Sequence, residues 1–184
     1  MRSVRVAPHC GYRPLDERVE QSPLERFCAL LAEHGVEFII VGGQAEALMG
    51  SPRVTYDVDL CYRRTTDNLE RLASALGTLK LTLRGAPPDL RFRLDAQALA
   101  LGQNYTFEVD GEHPVDFLGY LEPIGTYEDL LPHADNISIG GHPTRVIGLD
   151  DLIRIKRYLG RPKDKESLLQ LEAIKRLREQ EGLR

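Results

Sequence analysis

The sequence predicts an α+β fold in which helices flank a mixed β-sheet, with a helical extension at the C-terminus. Short strand-like runs alternate with helical periods from Pro23 to Leu118. Two of these runs flank the loop Asp110 to Pro114 and form a hairpin. From Leu149 onward the apolar spacing is helical alone. Strands that are joined both by helices and by hairpins make a sheet with parallel and antiparallel neighbours.

The length and composition are those of one globular domain with an appendage. At 184 residues and 42% hydrophobic, the chain can bury one core. We divide it into an N-terminal segment over residues 1–21, a core over 22–148 and a C-terminal helical pair over 149–184. The N-terminal segment carries prolines, a glycine and scattered charge without a helix or strand period, so we expect it to be irregular.

Cysteine usage and the lack of long apolar runs favour a soluble, cytoplasmic protein with no membrane partner. The spacing of the three cysteines is not that of a metal site, and an odd number cannot all pair in disulfides. The N-terminus lacks the apolar core of a signal peptide, and no apolar run approaches the roughly 20 residues that span a bilayer. The net charge of −4 excludes a surface that is basic throughout. One basic cluster lies near the C-terminus: Arg154, Lys156, Arg157, Arg161, Lys163 and Lys165.

Periodicity and end signals give the individual elements. The first four are a helix over residues 23–34, a strand over 36–41, a short helix over 44–49 and a strand over 54–62. The alternation in the last of these predicts a half-buried strand with its aspartates on the polar face. Asp67 and Glu70 match a capping box for the next helix. Later elements are a strand over 79–84, a helix over 95–101, hairpin strands over 105–109 and 115–118, a strand pair around 140–141, and helices over 149–159 and 163–180.

Asp57 and Asp59 carry the first chemical signal. Residues two apart on a strand point the same way, with their Cα atoms about 6.6 to 7 Å apart. Two carboxylates this close raise each other's pKa or recruit a cation, and Mg²⁺ prefers such hard oxygen ligands. Mg²⁺ usually completes its shell with water and substrate phosphates, so the pair predicts a phosphorylated substrate. Mn²⁺ is the alternative metal.

Gly42 and Gly43 supply the second signal. A strand that ends in glycines and enters a helix presents unpaired N–H groups with no Cβ in the way, which suits phosphates. A pair of metals would need a third carboxylate from a neighbouring strand. Asp116 is our choice, and Glu108 and Asp110 are its competitors.

Each signal also has a simpler interpretation. An Asp-x-Asp on a half-exposed strand is most often its solvated face, and a Gly-Gly pair is most often a turn. Asp116 would then start a hairpin strand or pair with an arginine. The order of glycines, helix, paired aspartates and later aspartate is what one phosphate-and-metal mechanism requires, and it favours the functional interpretation.

The stretch VGGQAEALMGSPRVTYDVDL at residues 41–60, followed by Val115-Asp116-Phe117, resembles the nucleotidyltransferase superfamily typified by DNA polymerase beta. Together with IKRYLGRPKD at 155–164, it resembles the AbiEii-type and MenT-type nucleotidyltransferases, which are toxins of bacterial toxin–antitoxin pairs. The shared pattern covers residues 36–62, 115–118 and 149–170. The resemblance implies the nucleotidyltransferase fold for the predicted sheet.

Four residues outside the aspartate pair have candidate roles, and the resemblance implies the one of Lys156. Lys156 lies in the apolar stripe of its helix, where it either snorkels past the core or neutralises triphosphate charge. Asp164 would orient Lys156 or the nucleotide, although an aspartate in a first helical turn is also favoured by the helix dipole. Arg53 and Thr55 are candidates for phosphate contact, and Arg53 is alternatively a surface charge.

The expected activity is metal-dependent transfer of NMP from an NTP to an acceptor hydroxyl. Asp57 and Asp59 bind Mg²⁺, Gly42 and Gly43 hold the triphosphate, and Asp116 helps to deprotonate the acceptor. The resemblance implies a tRNA 3′ end or a protein hydroxyl as acceptor, and a toxin held in check by an antitoxin. The alternatives are an enzyme that modifies an aminoglycoside or lincosamide antibiotic, and a non-catalytic nucleotide-binding or partner-binding module. The basic residues Arg154, Arg157 and Arg161 are either a solvated face or the place where an RNA backbone lies.

Overall fold

The computed structural model describes residues 21–87, 94–109 and 113–182. Almost all of the N-terminal segment that we expected to be irregular lies outside these ranges. Asp110, one of the competitors for the third carboxylate, also lies outside them.

A seven-stranded mixed sheet forms the centre of the fold, with the strand order β3-β4-β5-β2-β1-β7-β6. The strands are β1 (Phe38–Ile40), β2 (Val58–Tyr62), β3 (Leu81–Leu83), β4 (Asn104–Val109), β5 (His113–Leu118), β6 (Asp135–Ile139) and β7 (His142–Val146). The pairs β2–β5 and β1–β7 are parallel, and the other neighbouring pairs are antiparallel. The predicted α+β class and mixed sheet are confirmed.

Helices pack against this sheet and follow it at the C-terminal end. They are α1 (Pro23–Glu33), α2 (Gly42–Leu48), α3 (Thr66–Leu76), α4 (Ala96–Leu101), α5 (Tyr127–Leu130), α6 (Leu149–Leu159) and α7 (Pro162–Gln180).

 The two C-terminal helices are separated only by Gly160 and Arg161. A short 3₁₀ turn over Leu131–His133 joins α5 to β6. The sequence patterns did not predict α5, because a four-residue helix is too short to show a helical period.

Local sequence signals explain where α1 begins and ends. Ser22 accepts a hydrogen bond from the Glu25 amide, and the Glu25 side chain accepts one from the Ser22 amide, which together make a capping box. Phe27 and Leu31 turn into the core, and Gly35 follows the helix with a φ of 65°. This helix matches its prediction to within one residue.

The predicted strand over residues 54–62 is shorter in the structure. It begins at Val58, because Val54 and Tyr56 are 74% and 68% exposed and lie before the sheet. The half-buried expectation for this strand is wrong as well. β2 lies between β1 and β5 in the middle of the sheet, so Cys61 on the expected polar face is fully buried.

Two helix starts also differ from their predictions. α2 begins at Gly42 and not at Gln44, so both glycines lie in its first turn. α3 begins after Thr65 without a side-chain cap, and the predicted capping box of Asp67 and Glu70 does not form. Tertiary contacts hold that end of α3 instead, since the buried Asn68 bonds to the backbone of neighbouring loops.

The core is continuous from the sheet to the C-terminal helices. Ile39, Leu60 and Phe117 are fully buried in adjacent strands, and Leu152 of α6 and Leu171 of α7 join the same cluster. This packing fixes the C-terminal helices against the sheet. In the ranges that the structure describes, no helix has the length and apolar character needed to cross a bilayer.

Candidate active site

A cleft of about 270 Å³ opens where β1 ends and β2 begins. Its acidic lining residues are Asp57, Asp59 and Asp116, and its basic ones are Arg53, Lys156, Arg161 and Lys163. Gly42, Gly43 and Thr55 complete the polar part of the wall. The rest is apolar: Val41, Leu118, Leu121, Leu152, Ile155 and Leu159. The cleft therefore collects most of the predicted site residues in one place.

The parallel pairing of β2 with β5 brings Asp59 and Asp116 together. The two residues are Cα partners in the register of these strands. Directly paired residues on neighbouring strands put their side chains on the same face of the sheet. Val58 and Leu60, which flank Asp59, are fully buried on the opposite face. Both carboxylates consequently point into the cleft.

The environment of Asp59 favours its neutral form. Burial raises the pKa of this carboxyl to about 6, with further contributions from the nearby Asp116 and Asp57 charges. The Gly43 amide donates to Asp59 Oδ2 over 3.4 Å and opposes part of that rise. A cation bound between such carboxyl groups offsets their mutual repulsion and stabilises the ionised form of Asp59.

Asp116 shows the same need for a positive partner. Its Oδ1 atom is buried and accepts no hydrogen bond from any residue that the structure describes. A buried acceptor without a donor is costly unless something else, such as a cation, satisfies it. Asp57 lies at the exposed edge of the cleft, immediately before β2.

The three aspartates do not make a finished metal cage. Within residues 21–87, 94–109 and 113–182, no group of three acidic, cysteine or histidine side chains is arranged as a ready metal site. Mg²⁺ typically takes one or two protein carboxylates and fills its remaining positions with water and substrate phosphates. The crowded Asp59 and the unsatisfied Asp116 oxygen fit such an incomplete site.

The glycines make room for the carboxylate and for Thr55. Gly42 has a φ of +60°, and a Cβ there would lie 2.1 Å from Asp59 Oδ2. A Cβ on Gly43 would lie 3.0 Å from Thr55 Cγ2. Gly42 is thus required to pack the start of α2 against the cleft wall, and Gly43 lets Thr55 approach the backbone more closely than a larger residue would. The Gly43 N–H is partly engaged by Asp59 and is not a free phosphate donor in this structure.

Lys156 is buried in the apolar stripe of α6 and does not snorkel to solvent. It is 5% exposed, its Nζ contacts the Glu46 carboxylate, and Asp164 Oδ1 lies 3.5 Å away. It also lines the cleft. The lysine therefore lines the same cleft as the three aspartates while its ammonium lies next to two buried carboxylates.

Asp164 is fully buried and does not line the cleft. Its Oδ2 accepts from Arg161 Nε over 2.6 Å, and its Oδ1 accepts from Arg161 Nη2 over 3.2 Å. Burial alone would raise the pKa of Asp164, but the Arg161 hydrogen bonds and the Lys156 charge outweigh it and lower that pKa. Of the two predicted roles, this geometry supports orienting Lys156 over touching the nucleotide.

Arg53 and Thr55 both line the cleft, as their place before the aspartates predicts. Arg53 Nη1 donates to Ser167 Oγ over 2.9 Å and lies 4.0 Å from Glu46 Oε2. Its guanidinium is therefore held from two helices. The alternative in which Arg53 is a simple surface charge does not describe this arrangement.

Most of the basic cluster on the C-terminal helices is already paired within the chain. Arg154 bonds to Asp151 over 3.1 Å, Arg157 to Glu172 over 2.7 Å, and Arg161 to Asp164. These ion pairs reduce the positive field that would attract an RNA backbone. Lys163 and Lys165 are exposed, and Lys163 lies at the rim of the cleft.

The competitors for the third carboxylate do not share the position of Asp116. Glu108 pairs with Pro114 in the β4–β5 register, and it is not among the cleft residues. Asp110 lies outside the described ranges. The structure thus brings Asp116, and not Glu108, next to Asp59.

Sequence patterns did not single out Glu46 and placed Arg161 and Lys163 only in a basic cluster. Arg161 caps α7 directly after Gly160, whose φ of 58° reverses the chain toward the cleft. The Gly160-Arg161-Pro162 break between two helices was the available signal for Arg161. Glu46 gave no signal beyond being a charged residue on a short helix of small and apolar residues.

No protein-family model and no curated protein sequence matches this chain. Solved structures do match it. ANT(2″)-Ia in complex with adenylyl-2″-tobramycin aligns with a TM-score of 0.52 and 17% identity, over 84% of this chain and 92% of that one. The lincomycin-bound lincosamide antibiotic adenylyltransferase LnuA aligns with a TM-score of 0.51 and 12% identity, over 84% of this chain and 98% of that one.

The chain has the nucleotidyltransferase fold. A nucleotidyltransferase-like protein from Thermotoga maritima also aligns, with a TM-score of 0.49 and 18% identity, over 80% of this chain and 88% of that one. At these identities the likeness concerns the fold, which the resemblance in the sequence predicted. The AbiEii-type and MenT-type subgroup stays a prediction.

Proposed function

We propose that this protein is a metal-dependent nucleotidyltransferase that moves NMP from an NTP to an acceptor hydroxyl. The observation that carries the proposal is the pairing of Asp59 with Asp116 in one cleft that Lys156 also lines. The nucleotidyltransferase fold provides the scaffold for that cleft. Fold alone does not specify an activity, so the proposal rests on the site.

Asp57, Asp59 and Asp116 would hold the divalent metal. The raised pKa of Asp59 and the unsatisfied Asp116 oxygen both fit a bound cation. When bound, Mg²⁺ or Mn²⁺ would neutralise charge on the α-phosphate and on the leaving pyrophosphate.

Asp116 would accept the proton of the acceptor hydroxyl. The acceptor oxygen then bonds to the α-phosphorus of the NTP, and the bond from that phosphorus to the bridging oxygen of pyrophosphate breaks. The products are the NMP ester of the acceptor and pyrophosphate. The protein contributes mainly position and charge to such an in-line transfer.

The basic wall of the cleft would bind the triphosphate. Arg53, Lys156 and Arg161 line this wall. Among the described residues, the three aspartates are the only acidic side chains that line the cleft. Gly42 and Gly43 let the chain approach the phosphates closely, and Thr55 adds a hydroxyl beside them. Asp164 acts behind the wall, because it fixes Arg161 and Lys156.

We further propose a tRNA 3′ end or a protein hydroxyl as the acceptor, and the role of a toxin that a cognate antitoxin restrains. The support is the resemblance of residues 41–60 and 155–164 to toxin nucleotidyltransferases. The paired arginines on the C-terminal helices leave Lys163 and the cleft rim as the place where an RNA acceptor would enter.

Antibiotic modification is the second candidate, because two solved structures of this fold are named for antibiotics or their adducts. An aminoglycoside is a polycation and would need acidic side chains beyond the metal ligands. Among the described residues that line the cleft, the only acids are the three aspartates. The apolar lining residues, such as Leu118 and Leu121, suit a lincosamide better.

One experiment tests these proposals together. Each of the four NTPs, labelled at the α-phosphate, is incubated with the protein and Mg²⁺ in a cell lysate, and separately with tobramycin or lincomycin. Label in RNA or protein supports the toxin proposal, and label in an antibiotic supports the second candidate. Asp57→Ala and Asp59→Ala are the negative controls. The enzyme proposal would be defeated, in favour of a non-catalytic module, if no NTP gave a labelled product. It would also be defeated if both variants labelled the acceptor as strongly as the wild type does.

A further inference from the structure

Glu46 is a fully buried carboxylate that no part of the proposed chemistry uses. It lies in α2, the helix whose first turn contains Gly42 and Gly43. Its Oε1 contacts Lys156 Nζ, and its Oε2 lies 4.0 Å from Arg53 Nη1. Glu46 does not line the cleft, whereas both of its cationic neighbours do.

Asp164 is a second buried carboxylate next to Lys156. It is also fully buried and outside the cleft lining, and it lies 3.5 Å from Lys156 Nζ while it binds Arg161. Two buried carboxylates thus stand behind three cations, and only the cations reach the cleft. The group carries one net positive charge, since three cations face two carboxylates.

Stability alone is a poor reason for this arrangement. Removing two charges from water costs several kcal/mol per ion, and an apolar pair of similar volume is often as stable or more so. Lys156 already has Asp164 beside it. A second buried carboxylate on the same ammonium therefore points to a function that an apolar pair would not serve.

We propose that Glu46 is a positioning residue that holds Lys156 and Arg53 at the back wall of the cleft to receive a triphosphate. This inference rests on the proposed function and deepens it, because it names the residue that holds two of the triphosphate-binding cations in place. Since Glu46 and the diglycine belong to one short helix, α2 sets the position of the cations and of the glycine wall together.

The first test measures equilibrium binding of inorganic tripolyphosphate and of each NTP, with Mg²⁺, by isothermal titration calorimetry. Inorganic tripolyphosphate needs no knowledge of the preferred base. Glu46→Gln keeps the size of the side chain and removes its charge. We expect it to weaken tripolyphosphate binding by about tenfold, which corresponds to about 1.4 kcal/mol. The matched control is Glu70→Gln on the exposed face of α3, which should bind as the wild type does.

A double-mutant cycle separates positioning from a general structural effect. Because Glu46 acts largely through Lys156, Glu46→Gln should weaken binding less in the Lys156→Met background, where only Arg53 is left for Glu46 to hold, than in the wild type. Fully additive losses would overturn the proposal, and so would wild-type binding by Glu46→Gln. Thermal unfolding of each variant checks that the fold is retained.

A third variant keeps the proposal testable if the single change does not fold. Glu46→Leu combined with Lys156→Met replaces the ion pair by an apolar pair, which is expected to be as stable as the wild type. We expect this variant to fold and to lose most of its tripolyphosphate affinity. Retained affinity would show that the pair is only structural. A wild-type protein that binds neither tripolyphosphate nor any NTP would instead defeat the proposed function, and this inference with it.

Discussion

Asp59 of β2 and Asp116 of β5 are direct partners across two parallel strands in the centre of the sheet. Their carboxyl groups face one cleft, where burial and mutual repulsion raise the pKa of Asp59 to about 6. The fold stays intact despite this repulsion because the surrounding strands are packed into a continuous core. An unfavourable pair held in place by a stable scaffold is typical of a functional site.

Asp59→Asn is expected to abolish nucleotidyl transfer and to leave the metal-free protein as stable as the wild type or more stable. The asparagine removes a charge that the fold disfavours, and the pKa shift from 3.8 to about 6 corresponds to an upper limit of about 3 kcal/mol. Urea unfolding at neutral pH in EDTA measures the change. A clear loss of stability would show that the Asp59 carboxylate is satisfied within the metal-free fold.

The stability of the metal-free protein is expected to depend on pH through Asp59. Its pKa is raised in the fold, so between pH 3.8 and about 6 the folded state holds a proton that the unfolded chain has released. The free energy of unfolding therefore gains its full contribution from this group below pH 3.8 and loses it as pH rises through about 6. Unfolding midpoints at a series of pH values, in EDTA, test this. The Asp59→Asn variant should show a smaller decline over the same range, and an identical decline would assign the effect to other groups.

Gly42→Ala is expected to destabilise the protein more than a matched glycine change. Alanine at a φ of +60° costs about 1 to 2 kcal/mol for its backbone alone. In addition, its Cβ would lie 2.1 Å from Asp59 Oδ2 and 2.9 Å from Asp59 Cβ, so rotation of the aspartate cannot relieve the contact.

Gly140→Ala is the control for that change. Gly140 has nearly the same φ, 57°, and a Cβ there would meet its nearest neighbour at an ordinary 3.9 Å. It should lose the backbone cost only. Equal unfolding free energies for the two variants would mean that the cleft wall adapts to a side chain at Gly42.

Lys156→Met is expected to lower kcat/KM for the NTP by about a hundredfold, because it removes a charge that the proposed transition state uses. Metal binding in the absence of nucleotide should not change. Lys175→Met on the exposed side of α7 is the matched control and should keep wild-type kinetics. An unchanged rate for Lys156→Met would make the buried lysine purely structural.

Local patterns predicted the elements well where a residue type marks one structural feature, such as a helix start or a turn. Pro23 marked the start of α1, and the glycines at 140 and 141 marked the β6–β7 hairpin. The pattern failed where tertiary context decides. Nothing in residues 54–57 shows that the chain joins the sheet only at Val58, because exposure of Tyr56 depends on neighbours that come much later in the chain.

The sequence predicted most of the polar residues that line the cleft, but not the residues that hold them in place. The aspartates and glycines are recognisable because metal and phosphate chemistry restricts the residue types, and Lys156 is recognisable through the family resemblance. The contact of Glu46 with Lys156 joins two helices that are far apart in sequence, and only the packed core brings them together. A lone glutamate on a short helix carries no local trace of that partner.

The parallel β2–β5 pair has a consequence for synthesis on the ribosome. Asp57 and Asp59 emerge before strand β5, which carries Asp116, and the segments with Lys156 and Arg161 emerge later still. The cleft therefore cannot assemble during synthesis until the chain has been made through Lys163.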